Sequence, residues 1–163
     1  MLERFVKDVR RVVVRAAEEE AQGLGSATVE AEHLLLALAA DEDGPAGRLL
    51  ADSGLDHDAL LAALERESER SLASVGVSLT DLAPLRPTPP RRKPRFAASS
   101  KSALHRTLQV AVSGKGRYVT TSHLLVGILR ADIGTVPRAL EAGEVDRGQL
   151  LTRAERLLAL TAR

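Results

Sequence analysis

The feature that most constrains this chain is that it repeats itself. Residues 30–56 read EAEHLLLALAADEDGPAGRLLADSGLD and residues 120–146 read TTSHLLVGILRADIGTVPRALEAGEVD. His33 and His123, Gly44 and Gly134, Arg48 and Arg138, Leu50 and Leu140, and Asp56 and Asp146 are each separated by 90 positions (123 − 33 = 90; 146 − 56 = 90). A period that long exceeds the unit of solenoid repeats. The chain therefore reads as a duplicated helical unit folded into one pseudo-symmetric, all-α domain.

The units are helical because their apolar residues recur at helical spacing. Leu34, Leu35, Leu38, Leu49 and Leu50 follow the 3.6-residue period, with Asp43-Gly44-Pro45 ending one helix and opening the next. Gly54 marks a helix stop, Asp56 a further helix start, and Asp146 with Gln149 predicts a capping box. A first helix is expected from Leu2 to about Gln22, with Leu2, Phe5, Val9, Val12, Val13 and Ala16 on its apolar stripe. In the second unit Phe96 matches Phe5, and helices are expected over 99–112, 121–130, 136–141 and 147–160, eight in all. The run Glu18-Glu19-Glu20 reads as a solvated face.

Between the units the pattern dissolves. Residues 79–95, LTDLAPLRPTPPRRKPR, hold five of the seven prolines together with Arg86, Arg91, Arg92, Lys93 and Arg95, and cannot continue a helix. The expected organisation is repeat 1 over 1–78, an extended Pro/Arg-rich linker over 79–95 on the surface, and repeat 2 over 96–163.

Composition narrows the function. Aromatics are 2% of the 163 residues, so Leu, Val and Ala must fill the core. Lys+Arg 23 against Asp+Glu 22 argues against a general nucleic-acid binder. With no cysteine there is neither a disulfide framework nor a thiolate metal site. No signal-peptide core or membrane-length apolar run is present, so a cytoplasmic, non-membrane, monomeric protein is expected. The one Gly-Lys pair, Gly114-Lys115, lacks the upstream glycine of a phosphate-binding loop. The four histidines form no metal-ligand pair, and His33 and His123 are expected to tie helix to loop. Ser122-His123 cannot act as nucleophile and base, because neighbours on a helix point about 100° apart. The chain is not expected to be an enzyme or to need a cofactor.

The segments E-H-L-L-L-A-L and S-H-L-L-V-G-I-L, each followed by a glycine and a short helix, together with Leu2-Glu3-Arg4-Phe5 and Arg10-Arg11-Val12-Val13-Val14, resemble the double repeat of the Clp/Hsp100 N-terminal domain, of the ClpC type. The resemblance covers nearly the whole chain apart from its middle, with one extra residue within Ala17–Glu20 relative to the family pattern. It implies a binding module for protein substrates, adaptors and peptides, and in ClpC types for arginine-phosphorylated proteins. There each repeat offers a glutamate before the histidine for the guanidinium and a threonine after the first-helix phenylalanine for the phosphate. Glu32 matches the first carboxylate; the threonine positions are Val6 and Ala97, and the second carboxylate is Ser122. A groove between the first helices, which accepts cyclic peptides in relatives, matches at Arg10, Phe96 and Lys101; Leu2 replaces a phenylalanine and Ala17 a polar contact.

The reading is a non-catalytic protein- or peptide-binding module of bacterial Clp proteolysis, recruiting cargo for Clp ATPase or protease components or acting as a decoy. Its expected ligand residues are Leu2, Arg10, Glu32, Phe96 and Lys101. The competing reading is an interaction scaffold unrelated to proteolysis that docks acidic partners through the basic proline-rich segment.

Overall fold

The computed structural model describes residues 5–78, 80, 92–114 and 117–161. They form eight helices. Helix α1 is continuous through three segments, Lys7–Arg11, a π-helical turn Val12–Ala16, and Ala17–Gly23. Strand β1 (Thr28–Val29) precedes α2 (Ala31–Ala40), α3 (Pro45–Asp52) and α4 (His57–Ser74). Strand β2 (Arg95–Phe96) precedes α5 (Ala98–Ser113), α6 (Thr121–Leu129), α7 (Thr135–Ala142) and α8 (Arg147–Thr161). The all-α double repeat is the fold observed.

Helices α2 and α6 form the centre. Every residue of α6 is buried, as is α2 apart from Glu32 and Ala40, which is the behaviour of helices apolar on all sides. Both begin in a capping box closed by a histidine. The Glu30 N–H donates to His33 Nδ1 at 2.8 Å, and the Thr120 N–H to His123 Nδ1 at 3.1 Å. The expected tie of helix to loop is thus made by the ring. Asp56 and Asp146 cap α4 and α8 through the N–H groups of Ala59 (2.8 Å) and Gln149 (3.0 Å).

The two units exchange their leading segments. Phe5 pairs in parallel with Val119 of unit two, and Phe96 with Val29 of unit one. Val29 and Val119 are 90 apart, whereas Phe5 and Phe96 are 91 apart (96 − 5 = 91). Unit one therefore carries one extra residue between its phenylalanine and its histidine, and the π-turn absorbs it, since a π-bulge is a one-residue insertion into an α-helix. The turn shifts the buried face by one position. Val9 before it and Val12 and Val13 at its start are buried, but Ala17 and Ala21 after it, with Ala16 only half-buried. The extra residue lies one turn earlier than the sequence pattern placed it.

Three further expectations change. Phe5 and Val6 are extended, with Val6 the N-cap of α1 at ψ 160°, so the described helix begins at Lys7; the backbone N–H of Val6 is used by the Val119 carbonyl at 3.1 Å. The acidic run is a paired surface. Glu18 meets Lys93 at 3.0 Å, Glu20 meets His57 at 2.8 Å and Glu19 meets Arg15 at 3.1 Å, and the Glu18 side chain is only 13% exposed. The end of the expected linker is anchored by that Lys93 contact, by buried Pro94 and by β2. Residues 79 and 81–91 lie outside the described residues.

Candidate binding site

Because the leading segments are exchanged, the N-terminus of α2 in unit one faces the N-terminus of α5 in unit two. Ser99 sits between them. Its hydroxyl donates to one Glu30 carboxylate oxygen and accepts the Ala31 N–H at 3.0 Å, while Thr28 Oγ1 donates to the other oxygen at 2.9 Å. Glu30 is committed to holding this junction. Glu32, two residues on, receives no donor from another side chain among the described residues.

Glu32 opens onto a cavity of about 830 Å³ walled by the first turns of α2, α5 and α7. Ser102 and Arg106 of α5, Arg138 of α7, and the apolar Ile133, Val136 and Pro137 complete it. The arginines are fixed from outside. Arg106 Nε donates to the Gly127 carbonyl at 2.8 Å, and Arg138 Nε to Glu67 Oε1 at 2.8 Å. Burial alone would raise the Glu67 carboxyl, but hydrogen bonds from Arg138 and Ser71 and the charge of Arg138 outweigh it and hold the group below its ordinary value. Glu32 behaves oppositely. Desolvation, aided by Glu30 and Glu67, pushes its carboxyl up against the opposing effects of its own backbone N–H and of Arg138. A half-buried carboxylate with no side-chain donor beside a mixed apolar and polar wall is suited to a guanidinium or ammonium group, which would supply both charge and hydrogen bonds.

The pseudo-equivalent place is closed. Ser122, the counterpart of Glu32, is 1% exposed and its hydroxyl has no hydrogen-bond partner among the described residues. The counterparts of the wall residues Ser102 and Ala131 are Arg11 and Asp41 (102 − 91 = 11; 131 − 90 = 41), and these form an ion pair at 2.9 Å. Exchange also re-pairs the positions expected to form each ligand site. Glu32 shares its cavity with Ala98, next to Ala97, whereas Val6 lines a different cavity with Thr120 and His123.

The other expected ligand residues are dispersed. Arg10 and Lys101 are exposed at the same helical position of α1 and α5 (101 − 91 = 10), Phe96 is half-buried in β2, and Leu2 lies outside the described residues. Ala17 is fully buried. Of the expected residues only Glu32 lines this cavity or the one that Val6 lines. Sequence reasoning missed Ser99, Ser102, Arg106 and Ile133 because they come to the Glu32 cavity from the other unit. Arg138 carried a signal, being one of the residues repeated at the 90-residue offset. Among the described residues no helix is long and apolar enough to cross a membrane, and no cluster of His, Asp and Glu is placed to hold a metal.

Comparison with known proteins agrees with this architecture. The chain is 30% identical over 162 residues to an ATP-dependent Clp protease ATP-binding subunit ClpA homolog of Guillardia theta, and 29% identical over 161 residues to the chloroplastic chaperone protein ClpC2 of Oryza sativa subsp. japonica. Each match covers 99% of this chain but only 18% and 16% of the relative, so the chain spans less than a fifth of those proteins. Its fold matches the N-terminal domain of the ClpD chaperone of Arabidopsis thaliana with a TM-score of 0.73 at 23% identity, covering 98% of this chain and 97% of that one. It also matches the Hsp104 N-terminal domain of Candida albicans with a TM-score of 0.62 at 16% identity, covering 92% and 88%. The family described as the Clp repeat (R) N-terminal domain matches residues 4–85 and 95–163, and the chain belongs to that family.

Proposed function

We propose that the chain is a non-catalytic binding module of Clp-dependent proteolysis that takes protein or peptide ligands, recruiting them for a Clp ATPase or withholding them from it. The observation that carries the proposal is the open Glu32 cavity. Its residues come from both units, its carboxylate lacks a side-chain donor, and its rim holds the 88% exposed Ile133. A carboxylate anchor beside an exposed apolar ledge offers places for a basic and an apolar side chain of one peptide. Membership in the Clp repeat family, and relatives named as Clp ATPase subunits, supply the biological setting. A compartment containing a Clp protease follows from the same proposal; the bacterial cytoplasm is one, and the chloroplast of the plant relatives is another.

The scaffold reading, in which the basic segment docks an acidic partner, gains less support, because Lys93 of that segment is already paired with Glu18. The test is to add the purified chain to a Clp unfoldase–protease reaction degrading a labelled protein. A recruiter raises the rate and a decoy lowers it, and Glu32→Ala abolishes either effect. An unchanged rate at saturating chain, together with no binding to the labelled protein, rejects the proposal.

A further inference from the structure

A second cavity, about 850 Å³, lies between the C-terminal ends of α5 and α8 of unit two and the exchanged leading segment of unit one. Its floor holds Val6, Val110 and Leu158, and its mouth holds Arg117 and Tyr118. Tyr118 is the chain's one tyrosine and is 55% exposed, with the Arg117 guanidinium 5.8 Å from its ring centroid. Val112 and Leu160, 59% and 73% exposed, follow the lining segments of α5 and α8.

The internal repeat provides a control for what the fold requires. At the equivalent positions, 90 residues earlier, unit one has Glu20 for Val110, Gln22 for Val112, Ala27 for Arg117, Thr28 for Tyr118, Ser68 for Leu158 and Arg70 for Leu160. The same helices form there with polar or small residues at these six positions, although Leu24, 46% exposed, stands where unit two has the lining Gly114. Val110 and Leu158 also pack against the core, whereas Tyr118, Val112 and Leu160 are exposed, so the apolar and aromatic character at those three positions is particular to unit two and is not what holds the fold together. Tyr and Arg are also the side chains that concentrate binding energy at protein interfaces.

Charge selects the occupant. Glu155 is neutralised by Arg130 at 3.0 Å, and burial lowers the His123 pKa, disfavouring a charge on that ring. Arg117 has no carboxylate partner among the described residues, so the mouth is net positive. We infer that this face docks an acidic amphipathic segment of a partner protein, with aliphatic side chains in the cavity and a carboxylate on Arg117. The surface is separate from the Glu32 cavity and does not depend on what Glu32 binds.

The test is an anisotropy titration of the full chain with two labelled decapeptides, each carrying adjacent leucines, one flanked by aspartates and the other by lysines. The aspartate peptide should bind about tenfold or more tightly than the lysine peptide. Tyr118→Thr and Leu158→Ser, which install the residues of unit one, should weaken it by about tenfold each; the exposed Tyr118 variant should keep the melting temperature nearly unchanged, whereas Leu158→Ser also gives up packing against the core. Arg117→Ala should erase the preference between the peptides, and every titration is repeated in a Glu32→Gln background so that the lysine peptide gains nothing from the Glu32 carboxylate. A preference for lysines, no saturation at millimolar peptide, or equal binding by the Tyr118 and Leu158 variants overturns the inference. So does concentration-dependent self-association abolished by the same variants, which would make the face a contact between copies of the chain.

Discussion

Glu32 carries a charge that the fold does not reward. Its folded pKa lies above the unfolded value of 4.5, chiefly through desolvation, so the ionised side chain opposes folding above the folded pKa. Glu32→Gln should therefore raise the melting temperature at pH 7, and the gain should vanish below about pH 4.5, where the carboxyl is protonated in both states. No gain at pH 7 would mean that the carboxylate has an internal partner and is structural. His33 and His123 act in the opposite sense. Burial lowers both pKa values, against the raising influence of Glu30 at His33, and each Nδ1 must keep its lone pair to accept its cap. Their contribution is complete above about pH 6.5 and is lost as pH falls from there through the folded values. Urea midpoints should drop between pH 7.5 and 5.5, and His33→Asn with His123→Asn should flatten that slope.

At the scale of elements, the duplicated units solve one packing problem in two ways. Gly127 of α6 lies so close to α5 that an added Cβ would fall 2.2 Å from Thr107 Oγ1 and 2.7 Å from the Thr107 backbone nitrogen. The counterparts in unit one are Ala17 and Ala37 (107 − 90 = 17; 127 − 90 = 37), both buried. A larger residue on one helix thus goes with a smaller one on its neighbour. Gly127→Ala should destabilise by about 1–3 kcal/mol through overpacking. Adding Thr107→Ala, which recreates the pair of unit one, removes the Oγ1 clash but leaves the backbone nitrogen in place and should recover only part of that loss, as chemical unfolding of the two singles and the double would show. Simple additivity would mean that the backbone approach, rather than the threonine side chain, sets the cost. The π-turn of α1 belongs at this scale as well. One surplus residue is carried inside the helix, and the core contacts on either side of it are kept.

In the whole molecule, exchange of the leading segments decides which residues can share a ligand. The Glu32 cavity combines both units, and Ala97, whose N–H is bound by the Val29 carbonyl at 3.0 Å, is the helix-entry position on its side. With alanine in place of a hydroxyl there, phosphoarginine should bind weakly or not at all. Calorimetry on the wild type and Ala97→Thr should show recovery of about tenfold in the variant, the worth of one charge-assisted hydrogen bond. Tight wild-type binding lost in Glu32→Ala would show that the carboxylate suffices. Ser122→Glu, which the family pattern suggests as a second restoration, should instead unfold or loosen the chain, because it places a carboxylate at a site only 1% exposed.

Much of this protein was legible in its residues alone. The 90-residue offset and the 3.6-residue apolar period specify a doubled all-helical unit, because helix burial depends on local spacing. Capping by Asp56 and Asp146 and the structural role of His33 and His123 were equally readable, each depending on residues three apart. The contacts that build the cavity were not. Ser99 reaches Glu30 across 69 positions and Arg138 reaches Glu67 across 71, and no local pattern encodes which partner a distant side chain will meet. The fate of the acidic run was hidden for the same reason, since Glu18 finds Lys93 only once β2 has crossed to β1. Sequence determined the elements and their duplication, whose energetics are short-range; only the tertiary structure, by crossing one unit's entry segment onto the other, decided that Glu32 faces an open cavity while Ser122 is sealed.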